Sequence, residues 1–465
     1  MVLAGERRSV PSAPMPGGRD EELAGRIEAL LRAHGLEGRV EGLRRLSGGA
    51  SRETWSLDLV GATRRPLILQ RVRPGTVGGG PGMTGEAALM RAAADLGVPV
   101  PTVVADDAGE ALGAPCTVTE RLEGETIARK LLRDDEWATA RRRLVAQAGA
   151  ALAAIHRIDP ATAPQLKGGD QLEQLRLMLD GFDQPLPAFE LGWRWLAAHR
   201  PADPRTTVVH GDFRLGNLFV GAEGLAGVLD WELAHLGDPV EDLGWYCVRA
   251  WRFGSPLPAG GMGTREELLD AYEAAGGGAV DPEALRWWEV LGTLKWGLFC
   301  VLQAQVHLTG ASRSVELATI GRRVCENEWD VLGLLPGGEL PGPTGPAPGD
   351  EVDLYGRPTA RELVEAVREW IDGDVRSATE GRVAFHARVA ANALAMVERQ
   401  LVLGPGSAAA HRVALEALGH ADDASLASAI RDGREDHRLD EVRLAVARSV
   451  RAKLEVANPR WLEPD

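Results

Sequence analysis

Asp212 and Asn217 stand five residues apart in HGDFRLGN, residues 210–217, and Asp230 closes the apolar run LAGVLD thirteen residues after Asn217. A carboxylate to take a hydroxyl proton, an amide close behind it and a second carboxylate for a hard cation are what phosphoryl transfer asks of a protein. The rest of that chemistry is positioning and charge neutralisation. Asp212 is therefore the candidate catalytic base, and Asn217 and Asp230 are candidate Mg²⁺ ligands through oxygen. Arg214, two residues past Asp212, is placed to contact a γ-phosphate, because a guanidinium matches phosphate oxygens in pairs. A Gly-Asp turn alone is common; LDWE at 229–232 is what makes it a base-and-metal set. Glu232 fits a water-mediated metal contact and a salt bridge equally well.

These groups need a scaffold on each side. Upstream, WSLDLV and PLILQRV read as strands bounded by turns at 47–51 and near Gly61. Ser47, Gly48, Gly49, Ala50 and Ser51 form a small-residue turn whose backbone N–H groups can approach phosphates. The kinase pattern that HGDFRLGN and LDWE resemble usually places a strand lysine on the α- and β-phosphates, yet LILQRV holds none of the four lysines (Lys130, Lys167, Lys295, Lys453). Gln70 and Arg71 point to opposite faces of that strand, and Arg71 is the expected substitute because it keeps the charge. Glu86 opens the next helix and is its expected carboxylate partner. Glu120, Arg121 and Leu122, in ERLEG, are the expected hinge for the adenine edge.

From about residue 126 helical patterns dominate, interrupted by the short strands TTVVH, NLFV and LAGVLD. His156 is expected to pack against the catalytic loop, and Asp238 and Asp242 to cap a helix and anchor that loop. The tryptophans 245, 251, 287, 288 and 296 read as core. A Pro/Gly-rich stretch then separates a further helical segment, in which FHARVAANALAMVERQLVLG is expected to end at Gly404-Pro405. The expected organisation is a disordered 1–19, a nucleotide-binding lobe at 20–125, a catalytic and substrate-binding lobe at 126–333, a linker at 334–350 and a helical domain at 351–465 that folds separately.

ERLEGE, HGDFRLGNLFV and VLDWELAHLGDPVEDLGW, in that order along the chain, resemble the aminoglycoside/choline phosphotransferase-like kinases over roughly residues 40–333. The fragments are most similar to the branch found fused to acyl-CoA dehydrogenases. The resemblance implies an α+β, protein-kinase-like fold with a small antiparallel β lobe and a large helical lobe. It also implies ATP and Mg²⁺ as cofactors, Asp212 as base, Asn217 and Asp230 as metal ligands, and His210 as a buttress of the loop. The implied activity is phosphorylation of a small-molecule hydroxyl, with a hydroxyacyl compound or its CoA ester set slightly ahead of an aminoglycoside or choline-type acceptor. A nucleotide-binding pseudokinase that regulates a partner enzyme is the rival reading, favoured by the missing strand lysine. Residues 356–403 resemble an uncharacterised bacterial helical domain, to which docking or homo-oligomerisation is the role assigned.

Bulk composition narrows the field. The formal charge is −15 and the pI about 5.3, and the chain is acidic on both sides of residue 350. This argues against nucleic-acid or anionic-membrane partners. Four cysteines without metal-ligand spacing read as buried thiols. The N-terminus lacks an apolar signal core, and the run at 290–308 is broken by Lys295 and Gln303, so a cytoplasmic location is expected.

Overall fold

The computed structural model describes residues 16–46, 52–73, 80–182, 184–202, 204–337, 339–342 and 358–463. Its N-terminal lobe opens on α1 (Pro16–Ala33), four residues earlier than the ordered start expected at Asp20. Then come β1 (Arg39–Leu46), β2 (Arg52–Val60), β3 (Arg64–Val72), α2 (Gly82–Asp95), β4 (Val103–Asp107) and β5 (Cys116–Glu120). The strands form one antiparallel sheet in the order β1-β2-β3-β5-β4. Alternation decides its faces. Trp55, Leu57 and Leu59 of β2 and Leu67 and Leu69 of β3 share one face, and with Ile27 and Leu31 of α1 they form this lobe's core. The opposite face, carrying Arg52, Thr54 and Gln70, is left for polar work.

The larger lobe comprises α3 (Ala128–Arg133), α4 (Ala138–Ile155), α5 (Gln171–Asp180), α6 (Pro187–Ala198), the short strands β6 (Thr207–Val209), β7 (Leu218–Gly221), β8 (Gly224–Val228) and β9 (His235–Gly237), then α7 (Val240–Cys247), α8 (Arg265–Ala274), α9 (Pro282–Leu308), α10 (Val315–Ile320) and α11 (Val324–Leu334). Pairing of β6 with β9 and of β7 with β8 makes two ribbons, each antiparallel. The long α9 begins with Asp281 accepting from Glu283 N and Pro282 in the first turn, where a missing N–H costs nothing. It carries Trp287, Val290, Leu291, Leu294 and Leu298 through the centre of the lobe, all buried. Among the described residues, no helix is long and apolar enough to cross a membrane. Cys116, Cys247, Cys300 and Cys325 are free and buried.

A distinct helical domain follows: α12 (Ala360–Trp370), α13 (Gly381–Ala417), α14 (Asp423–Arg431) and α15 (Leu439–Ala457). One expectation fails here: α13 does not stop at Gly404-Pro405 but runs through Pro405 to Ala417. Pro405 and Gly406 are exposed; the proline costs the turn one helical hydrogen bond and crowds the carbonyl four residues back, and burial of Leu415 beyond it offsets that cost. The domain also packs on the larger lobe. Leu415, Leu426, Ile430, Val446, Val450 and Leu454 belong to the same apolar core as Phe189, Leu294 and Val331 of the catalytic lobe. Polar pairs seal the seam: Arg431 to Glu190 at 2.6 Å, Arg194 to Asp436 at 2.6 Å and Lys453 to Glu328 at 3.1 Å. At its far end Trp461 Nε1 donates to Asp330, whose carboxyl burial pushes up to about 7.

Candidate active site

The catalytic loop leaves β6 at His210 and returns through β7. Asp242, on the first turn of α7, holds its entry: its carboxylate accepts from His210 N at 2.7 Å, Gly211 N at 2.9 Å and His156 Nε2 at 3.2 Å. Burial opposes charge on Asp242, yet these donors outweigh it and keep the carboxyl below its ordinary range. Gly211 has φ +78°, and a Cβ there would come within 2.3 Å of Leu233 O, so only glycine fits. Asp238 accepts from Val240 N at 2.9 Å and caps the same helix. His210 itself receives Asp212 N on Nδ1 at 3.2 Å and contacts Leu229 O through Nε2 at 3.0 Å, tying the loop to the residue between β8 and Asp230.

Asp212 is gripped from three sides. Arg214 Nε lies 3.0 Å from Oδ1 and 3.1 Å from Oδ2, Asn217 Nδ2 donates to Oδ2 at 2.6 Å, and Trp245 Nε1 donates to Oδ1 at 2.9 Å. Arg214 is thus engaged with Asp212 and stacks on Trp251, 4.8 Å from the ring centroid, whereas the sequence reading placed it toward a γ-phosphate. Trp245 is a residue that sequence reasoning missed. It lies 33 positions from Asp212, and tryptophan in a helix reads first as core.

The β7–β8 hairpin brings the second carboxylate round. Leu229 N donates to Asn217 O at 2.9 Å, which sets Asp230 next in line beside the loop. Asp230 adopts the left-handed φ of +63°, one of two non-glycine residues with positive φ among the described residues. Such strain is retained where the surrounding structure over-determines a side chain's direction. Burial pushes the Asp230 carboxyl up to about 6, with the nearby Glu232 and Asp212 charges adding to it. That crowding of negative charge is what a divalent cation relieves, so the donor set fits Mg²⁺. No group of three or more His, Cys, Asp or Glu side chains suited to a metal occurs among the described residues; Mg²⁺ needs only one or two protein oxygens when phosphates and water complete its shell.

The strand cation is where the sequence reading needs correction. Arg71 pairs with Glu53 at 2.8 Å and lies 5.0 Å from the Trp55 ring, on the core face of the sheet. Arg52 stands on the other face. Its guanidinium bonds Glu86 at 2.6 Å and Glu232 at 3.1 Å, with Asp230 also close enough to act on it electrostatically. Burial opposes charge on Arg52, but these carboxylates more than offset it and raise its pKa. Glu86 is pushed up to about 7 by burial, only partly countered by Arg52. Glu86 is thus paired with Arg52 and not with Arg71. A usable signal existed: Arg71 alternates in phase with Leu67 and Leu69, which marks it as core-facing.

At the hinge, Glu120 pairs with Arg65 at 2.6 Å, and Arg121 reaches Ser56 Oγ at 2.7 Å and Asp58 at 3.3 Å. The backbone N–H groups of Glu120 and Arg121 are spent on Thr102 O and Pro66 O. Leu122 follows as a half-buried residue. Ser47, Gly48, Gly49, Ala50 and Ser51 lie outside the described residues.

Known proteins resemble this chain in sequence and in fold. The chain is 31% identical over 245 residues to mouse acyl-CoA dehydrogenase family member 10, covering 50% of this chain and 22% of that protein. It is 33% identical over 116 residues to mouse acyl-CoA dehydrogenase family member 11, covering 22% of this chain and 15% of that one. The chain thus spans about a fifth of the length of these relatives. A Ralstonia eutropha JMP134 protein solved as a candidate aminoglycoside phosphotransferase has the same fold, with a TM-score of 0.53 and 22% identity over 66% of this chain and 97% of that one. Residues 377–461 match a domain of unknown function, DUF6285. The profile described as "Phosphotransferase enzyme family" matches residues 42–288, more than half of the chain, which belongs to that family and carries a distinct helical domain behind it.

Proposed function

We propose that this chain transfers the γ-phosphoryl group of Mg-ATP to a hydroxyl group of a small molecule. One observation carries the reading: Asp212, oriented by Asn217, Arg214 and Trp245, sits beside a hairpin that presents Asp230. Asp212 accepts the proton of the attacking hydroxyl. Asn217 spends its NH₂ group on Asp212, which leaves its carbonyl oxygen, with an Asp230 oxygen, to hold Mg²⁺. A Mg²⁺ held there would supply positive charge to neutralise the phosphates. Recognition of the adenine edge falls to the backbone from Leu122 onward, because the two preceding N–H groups are already used. On this reading residues 20–125 bind nucleotide, 126–333 carry catalysis and acceptor, and 334–350 link them to a helical domain at 351–465.

Arg52, rather than Arg71, is the cation for the α- and β-phosphates, and Glu86 holds it in the cleft. This supplies what the missing strand lysine took away, and with it the main support for a pseudokinase. Arg52→Ala should raise the KM for ATP by about 10- to 100-fold, the scale of one charge-assisted phosphate contact. Arg71→Ala should leave KM within about twofold and lower the melting temperature, since it removes a contact with Glu53 and Trp55 on the core face. Steady-state kinetics with thermal melts of both variants test the assignment; the opposite ranking of KM values would overturn it.

Two acceptor classes follow. The Ralstonia protein's designation favours an aminoglycoside- or choline-type acceptor. The names of the acyl-CoA dehydrogenase relatives favour a hydroxyacyl acceptor. Mg-ATP turnover against aminoglycosides, amino alcohols, hydroxy acids and hydroxyacyl-CoA esters tests both. Turnover with none of these hydroxyl compounds would count against the kinase reading itself.

A further inference from the structure

Two of the three side chains that grip Asp212 depend on one small apolar cluster. Trp245, which donates to Oδ1, belongs to it with Val248, Ala250 and Trp251, and Trp296 packs against them. Arg214, the second donor, lies over Trp251. The Trp251 ring meets Trp245 at 5.2 Å and Trp296 at 4.8 Å between centroids. Its Nε1 has no hydrogen-bond partner among the described residues, so ring contacts and its own backbone place it. That backbone is a single 3₁₀ turn, Arg249–Trp251, and one turn makes too few hydrogen bonds to hold its own shape. Its anchors lie on either side. Arg252, next in the chain, reaches Cys247 O at 2.7 Å and Glu289 at 2.8 Å, both within the catalytic lobe. Arg249 is held together with the helical domain: Trp461 lies over its guanidinium at 4.9 Å, and Asp330 Oδ1 accepts from Arg249 Nη1 at 3.2 Å and from Trp461 Nε1 at 3.0 Å. Trp461 stands on the turn Pro459–Leu462 after α15, and Asn458 pins the start of that turn by donating to Glu326 at 3.0 Å. Arg249, Asp330 and Trp461 also border a cavity of about 370 Å³, so on this flank the contacts of Arg249 take the place of close packing.

We propose that Trp461 is a positioning residue for phosphoryl transfer. Through Trp461 on Arg249 the helical domain fixes the turn at 249–251, and with it the Trp251 and Trp245 rings that set Arg214 and the Asp212 carboxylate. This rests on the reading of Asp212 as the base. A second line of contacts runs the same way: Asn458 bonds Glu326, Glu326 accepts from Arg323 at 3.0 Å, and Arg323 lies over Trp296, which packs on Trp251. Both lines lead to Asp212 and neither reaches Arg52 or Asp230, so the effect falls on kcat and leaves the KM for ATP alone. A reacting group displaced by a fraction of an ångström loses rate steeply, and supporting contacts of this kind are what hold it in place.

Phosphate release from Mg-ATP with water as the acceptor, and amide hydrogen exchange, test this in the full chain. Trp461→Ala should lower kcat by about tenfold at an unchanged KM for ATP, and should speed exchange across residues 245–252. Trp461→Phe keeps a ring over Arg249 and should stay within about twofold of wild type. Arg194→Ala opens a different contact between the same two domains, that with Asp436, and should change neither readout. In an Asp212→Asn background Trp461→Ala should cause no further loss of turnover, because the group it positions is gone. An equal loss in both backgrounds, an equal effect of Arg194→Ala, or wild-type kcat and exchange in Trp461→Ala would overturn the positioning role. Asp212→Asn with full phosphate release would instead overturn the base reading, and this inference with it.

Discussion

Asp212→Asn should lower kcat by about 10³-fold, within the range that a positioned general base contributes, while Mg-ATP binds as before. The substitution keeps the shape of the side chain and can keep its contacts with Arg214 and Trp245, but an amide cannot take the hydroxyl proton. Calorimetry with Mg-ATP alongside steady-state turnover makes the separation, since a base acts on kcat and a nucleotide ligand on affinity. Trp245→Phe is the graded companion. It retains the ring over which Lys295 lies and removes only the N–H that reaches Asp212 Oδ1 at 2.9 Å. A loss of about tenfold in kcat with an unchanged KM for ATP is expected, the scale of one hydrogen bond to a charged group. Asp212→Asn with normal turnover would remove the base assignment, and with it the phosphotransfer reading.

Asp230→Asn should weaken Mg-ATP binding by about 100-fold and bring turnover close to background. Asparagine is the right probe because residue 230 has φ +63°, a conformation that asparagine tolerates and alanine does not. The fold is therefore retained while one anionic oxygen is lost from the metal site. Arg52 loses part of its electrostatic support, but the burial and like-charge cost of an ionised Asp230 is relieved at the same time, so the melting temperature should change little while the Mg²⁺ dependence shifts to much higher concentration. Titrating activity with Mg²⁺ at saturating ATP reads this directly. Normal Mg²⁺ dependence in the variant would show that Asp230 is no ligand.

Legibility of the chain followed the range of the interactions involved. Asp212, Asn217 and Asp230 lie within nineteen consecutive residues, and their spacing is set by one loop and one hairpin, both local. β2, β3, β7 and β8 were readable for the same reason: alternation and turn residues act over a few positions. Glu86 could be expected at the cleft because it opens a helix right after the sheet. The charge partner of Glu86 could not be chosen by composition, because the choice between Arg52 and Arg71 depends on which sheet face meets α1. Leu67, Leu69 and Trp55 settle that by packing on Ile27 and Leu31, and Arg71 goes with them.

What the sequence by itself determined is which residue types stand at which short spacings: a carboxylate, an amide and a second carboxylate within one loop and one hairpin, and the lobes that carry them. The tertiary structure alone decided what orients that chemistry. Trp245 meets Asp212 across 33 residues because α7 packs under the loop it anchors through Asp242. α13 continues through Pro405 because burial beyond the proline offsets one lost hydrogen bond. The helical domain joins the core of the catalytic lobe because Leu415, Ile430 and Val450 find Phe189 and Val331 there. In each case the deciding free energy comes from burying surface between distant segments, a quantity that no local window of residues contains.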